Sequence, residues 1–186
     1  MNILLHSCCG PCLGGSVRYF SENGHSITAF WDNPNIHPLG EYNSRFESFC
    51  RLTDILKIPV IIEFSKYMPE RYFKAINGNF DSSKCYHCFK LRFKSTAETA
   101  SENNFDAFST TLRISPYQNH EMILKAGREL AEEYNIKFFE VDLRDRFKLT
   151  YQVTRDHQLY KQKYCGCLFS EKERFASSTQ PSLASR

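Results

Sequence analysis

The chain has 186 residues, 41% hydrophobic and 15% aromatic, with a formal net charge of +3; it fits one globular domain able to bury roughly 70% of its unfolded surface. No apolar run approaches the ~20 residues that cross a bilayer, and Met1-Asn-Ile-Leu-Leu-His lacks a charged leader, so a cytoplasmic protein with no membrane partner is expected. The charge is too mild to mark a dedicated nucleic-acid-binding domain.

Asn2 to Ser7 is a short apolar run that predicts the first strand, and Pro11, Leu13, Val17 and Phe20 are spaced as a helix that stops at Gly24. His25 to Trp31 reads as the second strand, and Asp32 to Gly40, with Asn33-Pro34-Asn35 and Pro38, as a loop. Glu41 to Lys57 shows helical spacing at Tyr42, Phe46, Phe49, Leu52, Ile55 and Leu56. Pro59 to Phe64 is a β-branched third strand, and Pro69 to Ile76 a helix closed by Asn77-Gly78. A long helix over Lys84 to Ala100, a strand over Phe105 to Thr111, a helix over Glu121 to Tyr134 and a fifth strand over Ile136 to Val141 follow. This alternation predicts the α/β class, a parallel sheet flanked by helices on both faces. Asp142 to Tyr164 reads as a helix plus an extended segment returning to the site. A single catalytic, metal-binding domain is expected over 1–175, with a flexible tail over 176–186.

The cytosol keeps thiols reduced, so eight cysteines point to metal or redox chemistry before disulfides. Seven fall in three clusters. Cys8-Cys9-Gly10-Pro11-Cys12 lies where the first strand passes into a helix, the edge at which open α/β sheets bind ligands. Adjacent residues leaving a strand point opposite ways, which would let Cys8 and Cys9 serve two centres, and the helix N-terminus should favour the Cys12 thiolate. Cys85-Tyr-His-Cys88 puts two thiols on one helical turn, a spacing compatible with iron–sulfur, zinc or dithiol sites. Cys165-Gly166-Cys167 puts two on one side of an extended chain, with Gly166 leaving room for a bulky cofactor. One zinc or one 4Fe-4S cluster takes four ligands. The three left over suffice for an adjacent mononuclear iron with an open position, against the competing reading of one zinc with three buried spare thiols. Cys50, among Phe46, Phe49 and Leu52, is expected in the core.

His6 is a candidate proton donor or hydrogen-bond partner behind the ligands, and Tyr164 a candidate shield or proton donor, each set against ordinary packing. Lys84, Lys90, Arg92 and Lys94 surround one cysteine pair, and Arg155, Lys161 and Lys163 precede another. These cations either steer an anionic substrate or are solvated helix faces.

With these residues in view, the chain closely resembles the cobalamin-independent epoxyqueuosine reductases, the QueH family. The likeness lies in Leu4-Leu5-His6-Ser7-Cys8-Cys9-Gly10-Pro11-Cys12, in Asn33-Pro34-Asn35-Ile36-His37-Pro38 with Glu41, Tyr42 and Arg45, and in Cys85-Tyr-His-Cys88 with Leu91-Arg92. It continues through Ser109-Thr110-Thr111-Leu112, Ser115-Pro116, Leu159-Tyr160, Gln162, Tyr164-Cys165-Gly166-Cys167 and Phe169-Ser170, so it spans nearly the whole chain. The resemblance implies a fold similar to the adenine-nucleotide α-hydrolase (HUP) type and a 4Fe-4S cluster with an adjacent mononuclear iron. It also implies reduction of epoxyqueuosine to queuosine at the wobble position of tRNA, the last step of queuosine biosynthesis. An external electron donor and a monomeric protein are expected.

Direction and spacing assign Cys9, Cys85, Cys88 and Cys165 to the cluster and Cys8, Cys12 and Cys167 to the iron. Related nucleotide-binding folds carry a Ser-Gly-Gly-x-Asp-Ser type of loop where this chain has Cys-Cys-Gly-Pro-Cys, which argues against ATP use. An iron–sulfur-dependent tRNA sulfurtransferase and a zinc-ribbon-like binding module are the alternatives.

Overall fold

The computed structural model describes residues 1–63 and 67–176. Strands β1 (Asn2–His6), β2 (Ser26–Trp31), β3 (Val60–Ile62), β4 (Ala107–Thr110) and β5 (Lys137–Phe138) form one parallel sheet ordered β3-β2-β1-β4-β5. Helices α1 (Gly10–Glu22), α2 (Leu39–Leu56) and α6 (Phe147–Asp156) pack together on one face. The other face is covered by α3 (Pro69–Ile76), α4 (Ser83–Glu102) and α5 (His120–Glu133), while α7 (Leu168–Phe175) follows the last cysteine pair. Among the described residues no helix is long and apolar enough to cross a membrane.

The central strand explains the layering. Ile3, Leu4 and Leu5 of β1 are all fully buried, so the run is apolar on both sides, as a strand sandwiched between helix layers requires. Ile3 pairs with Ile27 on one side and Ala107 on the other, which fixes the register. From β1 the chain winds outward to β2 and β3, then crosses back to β4. The connections after β1 and β4 therefore run to opposite sides at the carboxyl edge, the switch point of a doubly wound sheet.

Most predicted elements are present with shifted ends. The fifth strand is two residues long rather than six, because side chains take the carbonyls that a longer ladder would use: Ser109 Oγ donates to Phe139 O and Arg113 Nε to Val141 O. The fourth strand stops at Thr110, whose Oγ1 accepts from Leu112 N and starts a 3-10 turn over Thr111–Ile114. Helix α7 lies in a stretch for which no element was predicted. Phe64 and the expected tail, beyond Ala176, lie outside the described residues.

Candidate metal centre

Cys8 leaves β1 at the switch point, its backbone N–H donating to Thr111 Oγ1 (3.2 Å) in the loop after β4. Cys9 is extended (φ −176°, ψ 165°) and serves as the N-cap of α1, its Sγ accepting from Cys12 N at 3.4 Å. Capping turns the Cys9 side chain back over the helix end. The expectation that neighbouring thiols diverge is thereby corrected: the Cys8 and Cys9 sulfurs stand 3.8 Å apart, and the sulfurs of Cys8, Cys9 and Cys12 all lie within 4.8 Å of one another. All three are buried.

The acid–base balance of this triad also differs from the helix-dipole expectation. Hydrogen bonds from Cys12 and Cys9, with Thr111 and despite burial, hold the Cys8 thiol well below its ordinary pKa. Cys12 is pushed well above its own, because its proton is shared with Cys8 and Cys9. Hydrogen bonding within the triad thus favours the ionised form at Cys8 over Cys12. Neighbouring donors outweigh the dipole here because they act at contact distance.

Gly10 permits this packing. A Cβ there would sit 2.5 Å from the backbone oxygen of Ser48 in α2, which cannot swing aside. Gly10→Ala is expected to cost about 1–3 kcal/mol by overpacking and to push the N-terminus of α1, with Cys9 and Cys12, off α2. Thermal unfolding checks this, and an unchanged midpoint would contradict the close approach.

The other four thiols come from two segments and lie near one another, Cys85 and Cys88 sensing Cys165 and Cys167. Cys85 and Cys88 occupy the first two turns of α4, and Cys88 packs with Cys167, Tyr72 and Ile76 in a small buried cluster. Burial raises the Cys85 thiol and pushes Cys88 up to about 12. Cys165 is the exposed member. Gly166 between them has a φ of +139°, a conformation that favours glycine, and a Cβ there would be 3.2 Å from Asn35 Nδ2.

Arg92, read from sequence as one of four local cations, instead points inward and is 1% exposed. Burial works against its charge, but Cys88, Cys165, Cys8 and Cys167 keep its pKa raised, so it faces both thiol groups. The remaining cations of that set separate: Lys84 lies 3.7 Å from Glu173, Lys90 lies 3.0 Å from Glu129, and Lys94 is exposed. Cys50 is half-buried rather than fully in the core, and it packs against the core edge.

Of the two non-cysteine candidates, His6 is completely buried, its Nδ1 3.0 Å from Thr110 Oγ1. Burial and then Arg92 lower its pKa to about 3, so it is a neutral imidazole at physiological pH. The Tyr164 hydroxyl donates to His37 O, and burial raises its pKa. Several neighbours have no role assigned from sequence: Gln118 and Tyr72 are unmarked, and Gln162 and Arg45 stand only among the motif residues. Gln118 Nε2 lies 3.4 Å from Cys165 Sγ and Gln162 Nε2 lies 3.5 Å from Cys12 Sγ. Tyr72 is buried beside Cys167 and Cys88, and Arg45 ties the Cys165 loop to α2.

The donor set fits a bound metal or cluster. Three buried sulfurs at mutual ligand separation suit thiophilic metals. Around them, among the described residues, His6 Nε2, Asn33 Oδ1, both amide atoms of Asn35 and Arg92 Nη2 are buried without a hydrogen-bond partner. Each such group costs ~1–3 kcal/mol when left unpaired, and together they suit a polar guest.

Both His37 ring nitrogens are likewise unpartnered, the ring stacked on Phe73 at 5.1 Å. Burial lowers its pKa to about 4, whereas in the unfolded chain it takes a proton near pH 6.5. Between these values the unfolded state holds more protons, so stability is full above about pH 6.5 and falls by roughly 1.4 kcal/mol per unit as pH drops toward 4. His6 adds a similar slope. Urea midpoints at pH 7 and 5 should therefore differ, and His37→Phe should remove about half of that difference; an equal difference in the variant would refute the assignment.

The family profile described as Epoxyqueuosine reductase QueH matches residues 3–173. A protein of that name from Dehalococcoides mccartyi is 38% identical over 96% of this chain and 97% of its own length. Another from Thermotoga maritima is 31% identical over 92% of this chain and 91% of its own. The sulfurtransferase alternative is not favoured by these relatives. Among solved structures, a predicted subunit of tRNA methyltransferase from Methanocaldococcus jannaschii aligns with a TM-score of 0.52 at 12% identity, covering 83% of this chain and 76% of the other. That likeness concerns the fold alone. Thiols at the switch point, an inward-facing arginine and a match over nearly the whole chain place this protein in the epoxyqueuosine reductase QueH family.

Proposed function

We propose that this chain reduces epoxyqueuosine to queuosine in tRNA, taking two electrons and two protons and releasing the epoxide oxygen as water. The observation that carries this reading is the buried Cys8–Cys9–Cys12 triad at the sheet edge, linked through buried Arg92 to a second thiol group that includes Cys88, Cys165 and Cys167. Seven thiols exceed the needs of one zinc or one cluster, which supports a 4Fe-4S cluster beside a mononuclear iron. We assign Cys9, Cys85, Cys88 and Cys165 to the cluster and Cys8, Cys12 and Cys167 to the iron. The 3.8 Å approach of Cys8 to Cys9 supports neighbouring centres. Bound there, the pair supplies single electrons and a Lewis acid that helps C–O cleavage.

The chain's own side chains hold protons and shape access. His6 is the proposed inner proton carrier: it is neutral, braced by Thr110, with Nε2 unpartnered. Tyr164 is the proposed outer one, and it releases the His37 carbonyl when it donates to substrate. Arg92 offsets thiolate charge from within. Cys165, the exposed thiol, marks the mouth through which a base flipped from the anticodon stack would enter. A cytoplasmic location, a tRNA partner, an external reductant and a monomeric enzyme belong to the same reading.

Anaerobic purification tests the cofactor claim. A brown protein carrying iron and sulfide that converts epoxyqueuosine in tRNA is expected; a colourless protein carrying zinc would eliminate it.

A further inference from the structure

The loop after β4 carries a feature that the thiol chemistry does not use. Tyr117 is 82% exposed, more than any other large hydrophobic side chain among the described residues. Its ring meets Phe147 edge-on at 5.8 Å, Phe147 meets Tyr151 edge-on at 5.4 Å, and Lys161 Nζ stands 4.3 Å over the Tyr151 ring. This series starts at the mouth of the site, because Gln118, next in the chain, reaches the exposed Cys165 sulfur.

Helix α6 explains why the series is presented. It buries Thr150, while Val153 faces Gly14 of α1. Phe147, Tyr151 and Arg155, four residues apart, then share a neighbouring face beside Lys148. Lys148, Arg155 and Lys161 are exposed and make no ion pair among the described residues, whereas Arg144 and Arg146 of the preceding turn are paired with Asp142 and Glu22. The open Tyr117 ring, continued by half-exposed Phe147 and Tyr151 and interleaved with cations that make no ion pair among the described residues, suits a single-stranded nucleic acid, whose bases stack and whose phosphates need positive charge. An apolar protein partner would instead call for a contiguous patch without cations.

We propose that Tyr117, Phe147 and Tyr151, with Lys148, Arg155 and Lys161, are the docking surface for the single-stranded loop of an RNA. Tyr117 stacks a base adjacent to the one admitted at Cys165. This rests on the reading of the chain as a tRNA-modifying enzyme.

The test is fluorescence anisotropy with the iron-loaded full chain and a labelled anticodon stem-loop carrying guanine at the wobble position. Tyr117→Ala is expected to weaken binding about ten-fold and Tyr117→Phe to keep it, with visible absorbance unchanged in both. Lys161→Ala should lower the slope of log K against log salt by about 0.7, while Lys57→Ala, at the opposite end of the sheet, should leave it unchanged. Wild-type affinity in Tyr117→Ala together with an unchanged slope in Lys161→Ala would overturn the proposal. So would Tyr117-dependent binding of polyglutamate with Tyr117-independent binding of the RNA. If the loaded wild type fails to reduce its substrate yet binds RNA through Tyr117, the reductase reading falls and this surface stands; the converse removes the surface alone.

Discussion

Arg45→Leu is expected to destabilise the protein by about 3–5 kcal/mol and to leave it deficient in iron. Arg45 is 1% exposed, and each arm of its guanidinium is committed. Nε donates to Glu41 Oε1 at 2.7 Å, while Nη1 and Nη2 donate to the carbonyls of Cys165 and Tyr164, each at 2.9 Å. Leucine would leave the Glu41 carboxylate buried with only the Tyr160 hydroxyl, and would release the loop that presents Cys165 and Cys167. The two losses separate in a double variant. Arg45→Leu with Glu41→Leu removes the unpaired charge, so most of the stability should return, yet the loop stays untied and iron content stays low. Urea unfolding and iron per chain measure the two effects. A single variant with wild-type stability and full iron would show that the guanidinium is not what holds the loop.

Cys8→Ser should abolish deoxygenation while keeping most of the cluster absorbance. Loss of a hydrogen-bond partner behind a metal ligand already costs about 10–100-fold, so loss of a ligand is expected to exceed about 100-fold. Cys8 is the triad member whose thiol is held low, by hydrogen bonds from Cys12 and Cys9 and by Thr111. Serine keeps the shape but holds its proton at neutral pH, so it cannot replace the thiolate as a ligand. Cys12→Ser is expected to behave alike and Cys85→Ser to bleach the protein. Complete bleaching of Cys8→Ser would assign the triad to the cluster and undo the partition.

The parts of the fold legible in the sequence are those written as local patterns. The run Ile3-Leu4-Leu5 announces a buried parallel strand, and Pro69 with Asn77-Gly78 brackets α3 at the residues where it begins and ends. The three cysteine clusters were legible because spacing survives folding. What was not legible depends on long-range contact. The convergence of Cys8 and Cys9 requires Cys9 to cap α1, a backbone event that alternation along a strand does not foresee. Arg92 resembled its solvated neighbours until α4 turned it toward the thiols, and Arg45 reaches its partners across about 120 residues of chain. Gln118 carries no sequence signal beyond polarity, and Asn35 stands out only as part of the family motif; the meeting of their loops with the Cys165–Cys167 segment brings both to the site.

The reaction itself is open to direct measurement. The measurement that reaches it most directly is anaerobic incubation of the iron-loaded protein and a reductant with tRNA containing epoxyqueuosine, followed by nucleoside analysis. Epoxyqueuosine should disappear as an equal amount of queuosine forms, and Cys8→Ser should form none. A fully loaded, reduced protein that leaves epoxyqueuosine untouched would contradict the account.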